Sequence, residues 1–260
     1  MTYSRPVFDF SGKSVLVTGG TSGIGAAIAE AFATSGAQVM LTGRNEERGK
    51  AVKERIHTVK GIAEFIAGDI TDNDYCAAVV QQTVGRFGGL DILVNSAGTI
   101  HHATADETTD TQWRETMQVN VDAVFYTCRA AVPVLRERGG GVIINIASDA
   151  GLSGSQHLVA YCASKGAVIL MTRAMALDHA AEGIRIVALC PGDVDTPMLR
   201  GEFVQRGVDA EVGLRGSAEA TPLGRVATPE EVADLALYVA SDSARFMTGA
   251  AVALDGGSRA

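Results

Sequence analysis

A chain of 260 residues, 47% of them apolar and 30 of them glycine, has the size and composition of a globular protein and excludes disordered and fibrous classes. Thirty acidic against 22 basic residues leave a net charge of −8, which repels a phosphate backbone and an anionic bilayer, so neither nucleic acid nor membrane is expected as a partner. Four widely spaced cysteines (Cys76, Cys128, Cys162 and Cys190) form no C-x-x-C pair and have no histidine cluster nearby; small buried thiols are expected, with neither a metal site nor a disulfide framework.

The opening segment, MTYSRPVFDFSGK, carries no apolar core of leader length, and no run of about 20 apolar residues follows. A soluble, cytoplasmic protein is the expectation. Short runs rich in Val, Ile and Leu then alternate with longer stretches of helical period. They lie at Ser14 to Thr18, Ala37 to Thr42, Ala63 to Gly68, Asp91 to Ala97, Gly141 to Ser148, Ile184 to Cys190 and Ala250 to Gly256. Most are apolar throughout, the pattern of strands covered on both faces by helices. Seven such strands imply right-handed crossovers and one α/β domain over 1–260, a doubly wound parallel sheet of the Rossmann type.

Between these runs, RERGGGV (Arg136 to Val142) reads as a helix end and turn. The stretch from Asp193 to about Thr228 is long, mixed and weakly periodic, and is expected to be a substrate lid. Thr228 is expected to cap the next helix, with Pro229 at its first position and Glu231 completing a capping box.

The first strand runs into TGGTSGIG, residues Thr18 to Gly25. Gly19 permits a tight turn, Gly23 lets the backbone approach a pyrophosphate, and Gly25 lets the helix pack closely on the strand. The N–H groups of that helix start favour an anion. Further on, Tyr161 and Lys165 are four apart within a helical stripe and share one face. A nearby ammonium and an oxidised nicotinamide ring are expected to lower the tyrosine pKa from about 10 and make it a usable acid/base. A surface helix pair is the plain alternative.

In order along the chain, TGGTSGIG, Asp69, NSAG (Asn95 to Gly98), Asn120, Ser148, Tyr161-x-x-x-Lys165 and PGDVDTP from Pro191 resemble the short-chain dehydrogenase/reductase family, from about Phe10 to Gly257. The resemblance implies a nicotinamide-dependent oxidoreductase acting on a small ketone or secondary alcohol. Gly19, Thr21, Ser22, Gly23, Ile24 and Gly25 would cradle the cofactor phosphates. Asp69 and Ile70 would meet the adenine, and Asn95, Ala97 and Gly98 would form the floor. Pro191, Gly192, Val194 and Thr196 would hold the carboxamide, and Lys165 the ribose. Tyr161 would be the acid/base, Ser148 would bind the substrate oxygen, and Asn120 would hold a water of a proton relay. Ser96 departs from the family's more frequent Asn-Asn-Ala-Gly. For Asp69 a helix-terminal acid is the alternative, and for Asn120 a helix-kinking polar residue.

Counting from Gly19, the acidic residue that binds an NAD ribose would fall at Gly43, and Arg44 follows it. A guanidinium there suits a 2′-phosphate, so NADP(H) is preferred and NAD(H) remains possible. The substrate pocket is expected near Ile100 and His101, Asp149 to His157, and Asp193 through 200–215; polar residues there hint at a sugar or polyol. Asn145 and Asp149 receive no catalytic part. The C-terminal LDGG resembles the tail through which family members form homotetramers. A non-catalytic nucleotide-binding regulator and an epimerase or dehydratase are the competing classes.

Overall fold

In the computed structural model, which describes residues 8–260, the strands fall close to the expected positions. They are β1 (Ser14–Thr18), β2 (Gln38–Gly43), β3 (Ile62–Ala67), β4 (Ile92–Asn95), β5 (Gly141–Ile146), β6 (Ile184–Pro191) and β7 (Ala251–Leu254). All pair in parallel in the order β3-β2-β1-β4-β5-β6-β7. β1 is buried throughout, and its side chains alternate between two layers. Val15 and Val17 enter one hydrophobic cluster, and Leu16 enters the other, as a period of two requires. The two edge strands, β3 and β7, are only partly covered and so tolerate Glu64 and exposed ends.

Helices α1 (Gly23–Thr34), α2 (Glu46–Thr58) and α9 (Pro229–Ala240) supply Ile28, Phe32, Ile56 and Val232 to the first cluster. Helices α3 (Asn73–Phe87), α5 (Ala123–Glu137) and α6 (Val159–His179) supply Val79, Leu135 and Val168 to the second. The sheet is thus doubly wound. Its order reverses between β1 and β4, where the two following loops part and open a crevice at the carboxyl ends of the strands. There the ladder ends earlier than expected, at Asn95 and Ile146 rather than Ala97 and Ser148. The next residues leave it to wall that crevice.

The Thr228 capping box and Pro229 at the helix start stand as anticipated. Gly139 and Gly140 turn the chain after α5 with φ of 86° and 129°. The segment 193–228 differs. It holds two helices, α7 (Pro197–Gln205) and α8 (Ala210–Ala220), packed on each other through Leu199, Phe203 and Leu214. Its periodicity is faint because this satellite core needs only those three buried apolar residues. Cys76, Cys128 and Cys190 are buried as expected, with their thiols pushed up to about 11, 12 and 11 by desolvation. Cys162 is half-buried instead, because it lies at the rim of α6. The expectation about a leader falls partly on residues 1–7, outside the described residues. Among the described residues no helix is long and apolar enough to cross a membrane.

Candidate active site

The crevice is a cleft of about 370 Å³, within the range of small-molecule sites. One end is built by the β1–α1 turn. Thr18 Oγ1 accepts the amides of Ser96 and Ala97 at 3.2 and 3.4 Å, drawing the β4 loop against it. A Cβ on Gly19 would lie 2.7 Å from the Ala97 backbone, and one on Gly25 would lie 2.3 Å from the Gly19 carbonyl. Only glycine allows that approach at either place. Helices α2, α3 and α9 begin under side-chain caps from Asn45, Asp72 and Thr228. Ser22, at the start of α1, makes no such bond, so the first N–H groups of α1 stay open to the cleft. Open N–H groups and the helix dipole at that place suit the pyrophosphate of a dinucleotide.

Farther along this end, Asp69 accepts both the amide and the hydroxyl of Thr71 at 2.9 Å. Those bonds, with the Arg44 guanidinium nearby, hold its carboxyl below the usual range. The cap of α3 is Asp72, so Asp69 is not the helix-terminal acid of the plain alternative. Arg44 and Arg48 line the cleft, and neither forms an ion pair among the described residues. A Cβ at Gly43 would meet Thr21 Cγ2 at 2.8 Å. Position 43 therefore has no room for an acidic side chain unless Thr21 moves.

The opposite end carries side-chain chemistry. Ser148 follows β5 and caps the short turn Asp149–Gly151, its Oγ accepting the Ala150 amide at 3.2 Å. It donates to Asp149 Oδ1 at 3.1 Å. Tyr161 and Lys165 rise on one face of α6, with Nζ 5.6 Å from the ring centre. Lys165 is 5% exposed and donates to the Ile146 carbonyl at 2.8 Å. Burial lowers its pKa to about 8. The protein's own groups raise the pKa of the Tyr161 phenol; the expected lowering counts on the oxidised nicotinamide ring as well. Desolvation is the largest cause, and the charges of Asp149 and Glu202 add to it. The Ser148 hydroxyl opposes them, and Lys165, whose ammonium is turned to a carbonyl, does not reverse the sign.

Of the catalytic and cofactor residues picked from the sequence, all line this cleft except Asn95 and Asn120. Asn95 points into the sheet. Its amide donates to Asn145 Oδ1 at 2.9 Å and its carbonyl accepts the Thr127 hydroxyl at 2.7 Å, tying β4 to β5 and α5. Its side chain is spent on those contacts and does not line the cleft, whereas Ser96, Ala97 and Gly98 do. Asn120 lies in a π-helical turn, Gln118–Asp122, and is fully buried. Its side chain accepts the Thr99 amide at 2.8 Å and donates to the Thr99 carbonyl at 2.9 Å and to Ser164 Oγ at 3.0 Å. It clamps the β4 loop. Ile100, Asp149, Ser155 and Asp193 line the cleft as expected. His101 instead pairs with Glu115 at 3.1 Å, and His157 stacks on His102 at 4.9 Å.

Sequence reasoning reached Glu202 only as part of the 200–215 stretch, and missed Arg48 and Arg259. Arg259, next to the last residue, donates to Asp149 Oδ2 at 3.0 Å and to Ser155 Oγ at 2.6 Å, so the tail reaches the catalytic end. No spacing signal connects positions so far apart.

Fold and cleft define a class: a doubly wound α/β protein with a dinucleotide cradle at one end of its crevice and a serine, tyrosine and lysine at the other. A family profile described as enoyl-(acyl carrier protein) reductase matches residues 19–259. The 3beta-hydroxysteroid dehydrogenase of Mediterraneibacter gnavus is 39% identical, over 95% of this chain and 95% of that protein. The L-fucose dehydrogenase of Mus musculus is 39% identical, over 95% of this chain and 89% of that protein. The crystal structure of a short-chain type dehydrogenase/reductase from Mycobacterium marinum superposes with a TM-score of 0.90 at 34% identity, covering 97% of this chain and 98% of that one. The chain belongs to the short-chain dehydrogenase/reductase family, whose members are oxidoreductases using nicotinamide cofactors.

Proposed function

We propose that the protein exchanges a hydride between NADP(H) and the carbinol carbon of a small secondary alcohol or its ketone, with Tyr161 as acid/base. The observation that carries this reading is the convergence of Ser148, Tyr161 and Lys165 at one end of a cleft whose other end holds the open start of α1. When bound, the nicotinamide supplies or takes the hydride. In reduction Tyr161 gives its phenolic proton to the ketone oxygen, and a phenol with a raised pKa is protonated and ready to do so. The Ser148 hydroxyl turns from Asp149 to donate to the same oxygen and offsets its developing charge. In oxidation the steps reverse, and the Lys165 ammonium and the positive ring favour the phenolate. The NADP(H) preference is supported by Arg44 and Arg48, two guanidiniums without ion-pair partners among the described residues, beside a Gly43 that has no space for an acid. Helices α7 and α8 serve as the lid.

Fluorescence titration with NADPH and NADH tests the cofactor assignment. Tighter NADPH binding is expected, tighter NADH binding overturns the preference, and binding of neither overturns the whole reading. Tyr161→Phe should retain cofactor affinity and lower turnover by about 10²- to 10⁴-fold; a near wild-type rate would remove Tyr161 from its role. We also infer a homotetramer, supported by the exposed Phe125 on α5 and Leu170 and Leu177 on α6. A light-scattering mass of one subunit would refute that.

A further inference from the structure

The carboxyl of Glu202, on the inner side of α7, is in an unusual position for an acid. The residue is 9% exposed and lines the cleft, although acids are almost never so buried without a partner. Among the described residues no donor lies within hydrogen-bonding distance of it. Its nearest cation, Arg206 Nη1, stands 3.8 Å away, one turn along the same helix. Of the other acids at this end, Asp193 is exposed to water and two are satisfied within the chain. Asp149 receives Ser148 and Arg259, and Asp195 receives both forks of Arg200 at 2.6 and 2.9 Å. Glu202 thus offers acceptor atoms to the cleft that nothing in the protein occupies, and its charge is felt at the Tyr161 phenol.

Burial and the neighbouring Asp193 make this carboxyl harder to ionise, and a hydrogen-bond donor from a ligand would relieve that strain. Arg206 already supplies a positive charge, so a second cation would be repelled. A hydroxyl brings a donor without a charge.

We propose that Glu202 accepts a hydrogen bond from a second hydroxyl of the substrate, close to the reacting carbon, so that the protein prefers diols and polyols to simple secondary alcohols. This rests on the oxidoreductase reading above and names its substrate class. That hydroxyl is one the Tyr161–Ser148 pair does not use: those two would meet the reacting oxygen, and Glu202 its neighbour. Because Glu202 rides on the lid helix, the same bond would hold α7 against a bound substrate.

The test compares kcat/KM for cyclohexane-1,2-diol and cyclohexanol in the wild type, Glu202→Leu and Glu202→Gln, with melting curves for each variant. The wild type is expected to favour the diol. Glu202→Leu should lower the diol-to-monoalcohol ratio about tenfold or more, as loss of a buried hydrogen bond does. Glu202→Gln keeps a carbonyl acceptor and should restore most of that ratio. A parallel fall for both alcohols, or an unchanged ratio in Glu202→Leu, overturns the proposal and leaves the oxidoreductase reading standing. Turnover of neither alcohol by the wild type overturns both.

Discussion

The two ends of the cleft are made of different material. At the β1–α1 end the walls are mostly backbone: Gly19 and Gly25 bring main chain against main chain, and Ser22 leaves the start of α1 uncapped. At the far end the walls are side chains. Ser148 comes from the end of β5, Tyr161 and Lys165 from α6, Glu202 from α7 and Arg259 from the tail. A backbone cradle tolerates no added atom, but its ligand needs only phosphate chemistry. A side-chain wall can be rewritten residue by residue, which is how one family holds relatives named for a steroid and for a sugar.

The sharpest way to break this contrast is Gly25→Val. Its Cβ would start 2.3 Å from the Gly19 carbonyl, so α1 must lift off β1. NADPH affinity should fall by about a hundredfold or more, a loss of roughly 3 kcal/mol, as read by titration. Wild-type affinity would mean the cradle is not held by that contact. Arg44→Asp should move the NADPH-to-NADH affinity ratio about tenfold or more toward NADH. An unchanged ratio would show the adenosine end to be indifferent to that charge.

At the side-chain end, Lys165 provides a titration. Its folded pKa of about 8 lies below the roughly 10.4 of an exposed lysine, so the unfolded chain holds that proton more tightly. Below a pH of about 8 both states carry it and the penalty on folding is complete. As pH climbs toward about 10.4 the folded state has released it, and stability from this group rises. The Tm of the wild type minus that of Lys165→Met should therefore increase by a few degrees between about pH 7 and 10. A flat or falling difference would place the ammonium in a better-solvated site. The smallest effect is expected from Arg259→Gln. Losing its bond to Asp149, made by a side chain that is 32% exposed, should reduce kcat/KM about two- to fivefold with cofactor affinity unchanged. A change in cofactor affinity instead would tie the tail to the wrong end.

Much of the fold was legible because its signals are local. Seven apolar runs, the Thr228 capping box and the glycine turn after α5 each depend on neighbours within a few residues, and each stands within about two residues of where the spacing put it. The glycine fingerprint was legible for the same reason: a positive φ at Gly19 and Gly23 is a property of those residues. The segment 193–228 was not, since α7 and α8 bury only a three-residue cluster and leave little periodic trace.

By itself, then, the sequence determined the strand order's raw material, the open helix start and the face shared by Tyr161 and Lys165. Tertiary structure alone decided which polar groups are satisfied and which are free. It turned Asn95 into the sheet and closed Asn120 on Thr99. It raised the Tyr161 phenol by desolvation, a cause that no spacing reports, and brought Arg259 to Asp149. Hydrogen-bond satisfaction and desolvation depend on every atom within a few ångströms, and in a doubly wound sheet most of those atoms come from distant parts of the chain.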